Sequence, residues 1–230
     1  MEWRVLTDSN IKLIIKNKLT WIYIIYLGLF VLGSKQSVAF YHGSPEMVAI
    51  NYNMYMVESF FMLPVLLGIM CNDRINKFLT TVILSKLNHK NNHFISQFLS
   101  YFSIAIGTFI FANAKMLFFT LLYGGKFQWI FFIKYFFLYS LTLVFYIPFM
   151  MFIWSLSKKF VLMIFGTFIF LGLNLFITNI YIPILFISDI FQNILMKKDI
   201  LFWISRVIYA CLGILLLMNM EKIYSKRSRD

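Results

Sequence analysis

Acidic residues are scarce in this chain: nine Asp and Glu stand against 21 Lys and Arg, for a formal charge of +12 over 230 residues. Charged residues of either sign make up only 13%, hydrophobic residues reach 61%, and mean hydropathy is +0.79. That balance excludes an ordinary soluble domain, which carries about 25% charged residues. Only two cysteines occur, Cys71 and Cys211, with no Cys-x-x-Cys spacing, so neither a disulfide framework nor a metal knuckle is expected. Catalytic signatures are missing as well. Gly124-Gly125-Lys126 lacks the upstream glycine and the hydroxyl of a phosphate-binding loop, so the chain is expected to have no ATPase activity of its own. There is no Gly-x-Ser-x-Gly, no His-Glu-x-x-His and no pair of intramembrane aspartates, so no enzyme, cofactor or metal is expected. His89 and His93 stand four apart, a spacing that binds zinc on a helix. Lys90 lies between them and Asn91-Asn92 reads as a turn, so solvated loop histidines are the better account. The first apolar run starts late and lacks a small-residue cleavage site, so no cleavable signal peptide is expected. No internal repeat or low-complexity segment stands out.

What the chain has is long apolar runs. Crossing roughly 30 Å of hydrocarbon takes about 20 residues. Runs at 17–34, 54–71, 94–122, 127–157, 160–177 and 200–220 predict an all-α integral membrane protein with six spans, a single transmembrane domain over 1–230. The placement of Lys and Arg sets its orientation. Arg4, Lys12, Lys16 and Lys18 precede the first span; Arg74, Lys77, Lys86 and Lys90 separate the second and third. Lys158 and Lys159 separate the fourth and fifth, and Lys222, Lys226, Arg227 and Arg229 follow the sixth. The other side holds Lys35, Lys126, Lys197 and Lys198. Both termini are therefore expected in the cytoplasm. The excess positive charge is explained by topology and anionic lipid, and nucleic acid is not needed.

The segment 72–92 is polar, basic and helical in pattern between two apolar runs. Asp73 can cap a helix start, and Ile75, Phe78, Leu79, Val82 and Ile83 follow at helical spacing on one face. An apolar stripe of this kind lies on a membrane surface or docks on a partner. The amino-terminal leader offers Thr7, Asp8 and Ser9 as caps, with Ile11, Ile14 and Ile15 set against Lys12, Lys16 and Lys18. It predicts an interfacial amphipathic helix bending into the first span. Residues 35–53 read as an external loop, and 179–199 as an external interfacial or re-entrant helical element before the sixth span. Pro64 and Pro148 interrupt the second and fourth spans.

Two groups of residues inside the spans ask for a role. Ser96, Ser100, Ser103 and Gly107 put small side chains on one helix face, which suits close packing within the chain or against a second subunit. Glu58, Lys115, Lys134 and Arg206 are ionisable groups within the spans, all expected at similar depth below the outer surface. Long Lys and Arg stems reach headgroups easily, whereas Glu58 does not, which favours pairing and an outer-gate or translocation role.

Taken together, these features resemble the membrane subunit of an ABC transporter of the ABC-2 type. In that family an acidic residue often ends the second span, followed by a short coupling helix and a basic turn into the third. Asp73, the stripe Ile75, Phe78, Leu79, Val82 and Ile83, then Lys86 and Lys90 match that order. Leu87-Asn88-His89-Lys90 stands where a proline-arginine turn is common. The resemblance covers the chain by architecture and implies a permease in the bacterial cytoplasmic membrane. It further implies a dimer, of identical or paralogous subunits, on separate ABC ATPase subunits. Small permeases of this kind in Gram-positive bacteria export amphipathic peptide toxins such as phenol-soluble modulins, or remove lantibiotics in self-protection. The aromatic run Phe131, Phe132, Tyr135, Phe136, Phe137, Tyr139, Phe145 and Tyr146 suits an amphipathic peptide substrate. Competing readings are the substrate-binding membrane component of a small-molecule importer and a stand-alone immunity protein.

Overall fold

A computed structural model of the chain describes residues 2–32, 45–68, 91–157, 161–166, 168–169 and 200–227. Its elements are helical, with no strand among the described residues. In chain order they are α1 (Glu2–Ile15), α2 (Lys18–Ile25) running into a π-helical turn (Tyr26–Val31), α3 (Pro45–Leu67), α4 (Asn91–Leu122), α5 (Trp129–Ser157) and α6 (Ile200–Arg227). Residues 161–166 and 168–169 are also helical.

The leader helix α1 begins at Glu2, so Thr7, Asp8 and Ser9 lie inside it and do not cap its start, and the chain bends sharply after it. α1 and the helical stretch Lys18–Val31 meet at 79°. The cause is local. Asn17 adopts an extended conformation (φ −83°, ψ 134°), and its side chain accepts from the Leu19 amide at 2.9 Å, capping α2. The Thr20 hydroxyl turns back onto the Ile14 carbonyl, satisfying a group at the end of α1.

α4, α5 and α6 are long and apolar enough to cross a membrane; with the bent α1–α2 pair as one span the count reaches four. Six spans are thus predicted, and three or four meet the test among the described residues. The predicted spans at 94–122, 127–157 and 200–220 correspond to α4, α5 and α6. The predicted fifth span, 160–177, is described only at 161–166 and 168–169. The amphipathic segment at 72–90 and the element at 179–199 lie outside the described residues.

The second span needs correcting. It is predicted at 54–71, after an external loop ending at Asn53, but α3 begins at Pro45. Proline suits the first turn of a helix, because its fixed φ is already helical and its missing N–H is needed least there. At 1.5 Å per residue the helix reaches roughly 34 Å, enough to cross hydrocarbon. Its composition is what departs from a simple span: Asn51, Tyr52, Asn53, Tyr55, Glu58 and Ser59 lower its hydropathy. Most of those side chains face inward, with Tyr52, Asn53, Tyr55 and Ser59 all buried. Pro64 lies inside α3 and Pro148 inside α5, so neither proline ends its helix.

Hydroxyl and amide side chains on the other helices return their hydrogen bonds to their own backbones. Thr108 donates to Ile104, Thr120 to Met116 and Thr142 to Leu138, each at 2.8 Å. This keeps polar groups satisfied where water is absent. α4 ends at a left-handed Gly124 (φ +69°), and a short turn leads to α5. α5 and α6 form the most extensive helix pair, with α1 lying against α4.

Candidate functional site

Helix α3 sits at the centre of a buried polar ladder. Near its start, the Tyr135 hydroxyl is shared between the Ala49 carbonyl (3.0 Å) and Asn53 Oδ1 (2.9 Å). Beside it the Tyr52 ring stacks on Tyr135 with centroids 4.6 Å apart, and the Tyr52 hydroxyl donates to Asn113 Oδ1 on α4. Two turns on, Ser59, Tyr139 and Tyr23 form a triangle of hydroxyls, with Tyr23 3.3 Å from Ser59 and 3.5 Å from Tyr139. Phe109 stacks on Tyr139, Tyr55 packs edge-on against both, and Phe60 packs edge-on against Tyr146. From Ala49 to Phe60 the ladder covers roughly 16 Å of helix. Interhelical hydrogen bonds in membranes are worth about 0.6 kcal/mol each on average, so this set specifies register more than it supplies bulk stability. The Tyr55 and Tyr146 hydroxyls are buried and have no hydrogen-bond partner among the described residues. Such groups are uncommon in native interiors, and each is a spare donor for another arrangement of the helices.

The second constellation surrounds the π-helical turn. Glu58 Oε2 accepts from the Tyr26 hydroxyl at 2.7 Å, and Lys115 Nζ donates to the Leu29 carbonyl at 2.7 Å. Tyr26 and Leu29 are three residues apart, so Glu58 and Lys115 approach one turn from two sides. A π-helical turn departs from the usual i→i−4 ladder, and such turns recur at functional sites. Lys115 supplies a charged donor to one of its carbonyls. Gly28, inside the turn, lies against Phe111, whose ring would be 2.7 Å from a Cβ added there.

Glu58 and Lys115 have hydrogen-bond partners other than each other. Neither Lys115 nor Lys134 bonds to Glu58 among the described residues; the partners are Tyr26 for the carboxylate and Leu29 for Lys115. The physical reason is the earlier start of α3. Glu58 lies in the middle of that helix instead of near an outer end, level with a tyrosine hydroxyl. Lys134 is exposed on α5, in keeping with a stem reaching for headgroups, while Arg206 is buried on α6.

The small-residue face also divides. Asn10 Nδ2 donates to Ser96 Oγ at 2.9 Å, and Ser100 Oγ lies 3.3 Å from the Thr7 carbonyl, so these two serines hold the leader. Ser103 and Gly107, one and two turns further, are exposed. His93 needs correcting too. It lies in the first turn of α4, buried to 3% exposure, with its ring edge-on to Phe94, and is not a loop residue. Asn91 starts the helix instead of making a turn, which carries His93 into the stripe of Ser96, Gln97 and Ser100. Of the aromatic run on α5, Tyr135, Tyr139, Phe145 and Tyr146 are buried, Phe131, Phe132 and Phe136 are partly buried, and Phe137 is exposed. Asp73, Ile75, Phe78, Leu79, Val82 and Ile83 lie outside the described residues.

Sequence reasoning missed the ladder, although a signal existed. Tyr52, Tyr55 and Ser59 on α3, and Tyr135, Tyr139 and Tyr146 on α5, recur at three-, four- and seven-residue steps, the period of one helix face. Among the described residues, the fold and this interior are those of a helical protein with helices long and apolar enough to cross a membrane, joined by hydrogen bonds between them. No protein-family model, curated protein or solved structure matches the chain.

Proposed function

We propose that this chain is the membrane subunit of an ATP-driven exporter of amphipathic or hydrophobic peptides, of the ABC-2 type, working as a dimer on separate ATPase subunits. The observation that carries the reading is the position of the polar contacts. Residues 72–92, with the stripe that would dock on an ATPase, are flanked in sequence by α3 and α4. Those two helices are tied to each other by Tyr52 and Asn113, and to the π-helical turn by Glu58 and Lys115. A push delivered at Asp73 and Phe78 therefore reaches the two helices that hold the ladder.

A nucleotide-driven change needs contacts that differ between two states. Hydrogen bonds serve that purpose better than apolar contact, because they exchange in discrete steps. The unengaged hydroxyls of Tyr55 and Tyr146 give the ladder somewhere to go. The exposed Ser103 and Gly107 offer a face to the second permease subunit. The peptide would pass between the two copies, and the aromatic surface of α5 would receive its apolar face.

The test is copurification and transport. A P-loop ATPase is expected to be encoded beside this chain, and the tagged chain expressed with it is expected to bring that ATPase down. In proteoliposomes the pair is expected to move an amphipathic helical peptide on ATP addition. A chain that binds no ATPase, yet protects cells stoichiometrically from a peptide, overturns the reading in favour of an immunity protein.

A further inference from the structure

The π-helical turn Tyr26–Val31 ends the helix that α2 begins, and Leu32 follows it in extended conformation (φ −87°, ψ 121°). In a π-helix the backbone hydrogen bonds reach one residue further than in an α-helix, so the same segment can close as α by advancing one residue. Before the turn the chain is anchored. Tyr23 is fully buried, its hydroxyl 3.3 Å from Ser59 Oγ and 3.5 Å from the Tyr139 hydroxyl. Within the turn Leu29 and Phe30 are 45% and 64% exposed, whereas Val31 is partly buried.

Two polar contacts hold the turn, and they come from different helices. Glu58 on α3 accepts from the Tyr26 hydroxyl at its first residue; Lys115 on α4 donates to the Leu29 carbonyl at its fourth. Leu27, Leu29, Phe30, Val31 and the following Leu32 all carry apolar side chains. A one-residue advance therefore exchanges one apolar side chain for another and buries no polar one. Gly28 presents no Cβ to the Phe111 ring on α4, and Phe111 is itself exposed, so its ring can turn aside. Burial discriminates weakly between the two registers, and the polar contacts decide.

We propose that Tyr26–Val31 is a register switch, π-helical while α3 and α4 hold its two ends and α-helical once α4 has shifted relative to α3. Two states need contacts that differ between them. Glu58 stays with Tyr26, which adjoins the anchored part of the helix. Lys115 loses the Leu29 carbonyl, because one residue of advance turns the end of the segment by about 100°. Lys115 is thus a positioning residue that selects the π form. The step lengthens the helix by about 1.5 Å and carries a Cα roughly 4 Å around the axis, a side-chain tip up to about 8 Å. The inference needs only that α3 and α4 move relative to each other, and it does not depend on export.

The experiment uses the full-length chain with Cys71→Ser and Cys211→Ser, in lipid nanodiscs. A nitroxide is placed on Leu29→Cys, Phe30→Cys or Val31→Cys, one at a time, and its accessibility to oxygen is read by electron spin resonance. In the parent, position 30 is expected to be the most accessible and 31 the least. In the α form each residue points where its successor pointed, so the maximum moves to position 29. Lys115→Met is expected to invert the ratio of accessibilities at 30 and 29, and Lys115→Arg, which still donates, to restore it. Tyr26→Phe, which frees the other end, is the second variant should Lys115→Met not fold, with the same inversion expected. An unchanged ratio in the folded variant overturns the proposal and makes the turn static. Equal accessibility at all three positions overturns it too, since the contacts then only keep the segment helical. Inversion in Lys115→Arg as well as Lys115→Met overturns the role of the donated hydrogen bond.

Discussion

Replacing Gly213 by alanine tests a close contact between α6 and the backbone of α5. The added Cβ would sit 2.2 Å from the Val144 carbonyl oxygen, 2.7 Å from Phe145 Cα and 2.9 Å from the Val144 carbonyl carbon. Favourable contact between carbons begins near 3.5 Å, so the helices must separate on the order of 1 Å. All three obstructing atoms belong to backbone, and no side-chain rotation relieves them. The Val144 oxygen is also special: Pro148, four residues on, has no N–H to give it, so the close approach of the Gly213 Cα covers a carbonyl with no helical donor. Two effects oppose one another. Alanine in a helix interior is favoured over glycine by about 0.8–1.0 kcal/mol. Overpacking costs about 1–3 kcal/mol, and with rigid backbone as the neighbour the upper part of that range applies. The expected net loss is about 1–2 kcal/mol, a shift of about five- to thirtyfold in the folded-to-unfolded ratio. Reversible unfolding in mixed micelles, followed by helical circular dichroism, measures it. Gly107→Ala is the internal control, since nothing lies within 4 Å of a Cβ there; it is expected to gain up to about 1 kcal/mol. A Gly213→Ala protein as stable as the parent would refute the argument from backbone contact.

Other outcomes follow from the same geometry. Tyr52→Phe leaves Asn113 Oδ1 without its donor and is expected to cost about 1 kcal/mol in the same unfolding assay, within the span measured for membrane helices; no loss would mean the bond does not hold α3 to α4. Tyr26→Phe and Glu58→Ala are expected to be non-additive by at least about 0.5 kcal/mol, whereas Glu58→Ala and Lys134→Met add, and coupling only in the second pair would restore the ion-pair reading. A cysteine at Ser44 is expected to label from outside intact cells and one at Ser225 only after permeabilisation; the reverse pattern refutes the orientation read from basic residues. Phe78→Asp is expected to weaken ATPase copurification and stop transport while membrane insertion continues, and normal transport would leave the stripe at 75–83 resting on lipid.

The long spans were legible because hydropathy sums over many residues, and α4, α5 and α6 satisfy it nearly everywhere along their length. A bend after the leader was legible because it is set locally, by Asn17 in extended conformation and Thr20 three residues later, but the caps read from the sequence, Thr7, Asp8 and Ser9, lie inside α1. α3 was misplaced for the opposite reason. Asn53, Tyr52 and Ser59 resemble loop residues until their partners are known, and those partners are on α2, α4 and α5, more than thirty residues away. The site suffered the same way. The spacing of Glu58, Lys115, Lys134 and Arg206 supports a common depth, but a tyrosine hydroxyl and a backbone carbonyl compete for the first two. Charge counting does not see such neutral competitors. The small-residue stripe divides in a way that spacing does not show: Ser96 and Ser100 meet the leader, whose docking depends on the angle at Asn17, while Ser103 and Gly107 are exposed.

The contact between Asn10 and Ser96 also has a bearing on how the protein is made. The two residues are 86 positions apart. With synthesis at about 5–20 residues per second, the leader is complete some 4–17 s before its serine partner has been polymerised. During that wait α1 has no protein surface to cover its isoleucines. An interfacial leader, as its basic and apolar faces predict, would rest at the lipid–water boundary in that interval, with the 79° angle at Asn17 keeping it out of line with the first span. Arrival of α4 then gives Asn10 and Thr7 their partners and ends the waiting state. On this account the amino-terminal helix is a placeholder during insertion, and variants that straighten Asn17 should be lost to quality control before any transport defect can be seen.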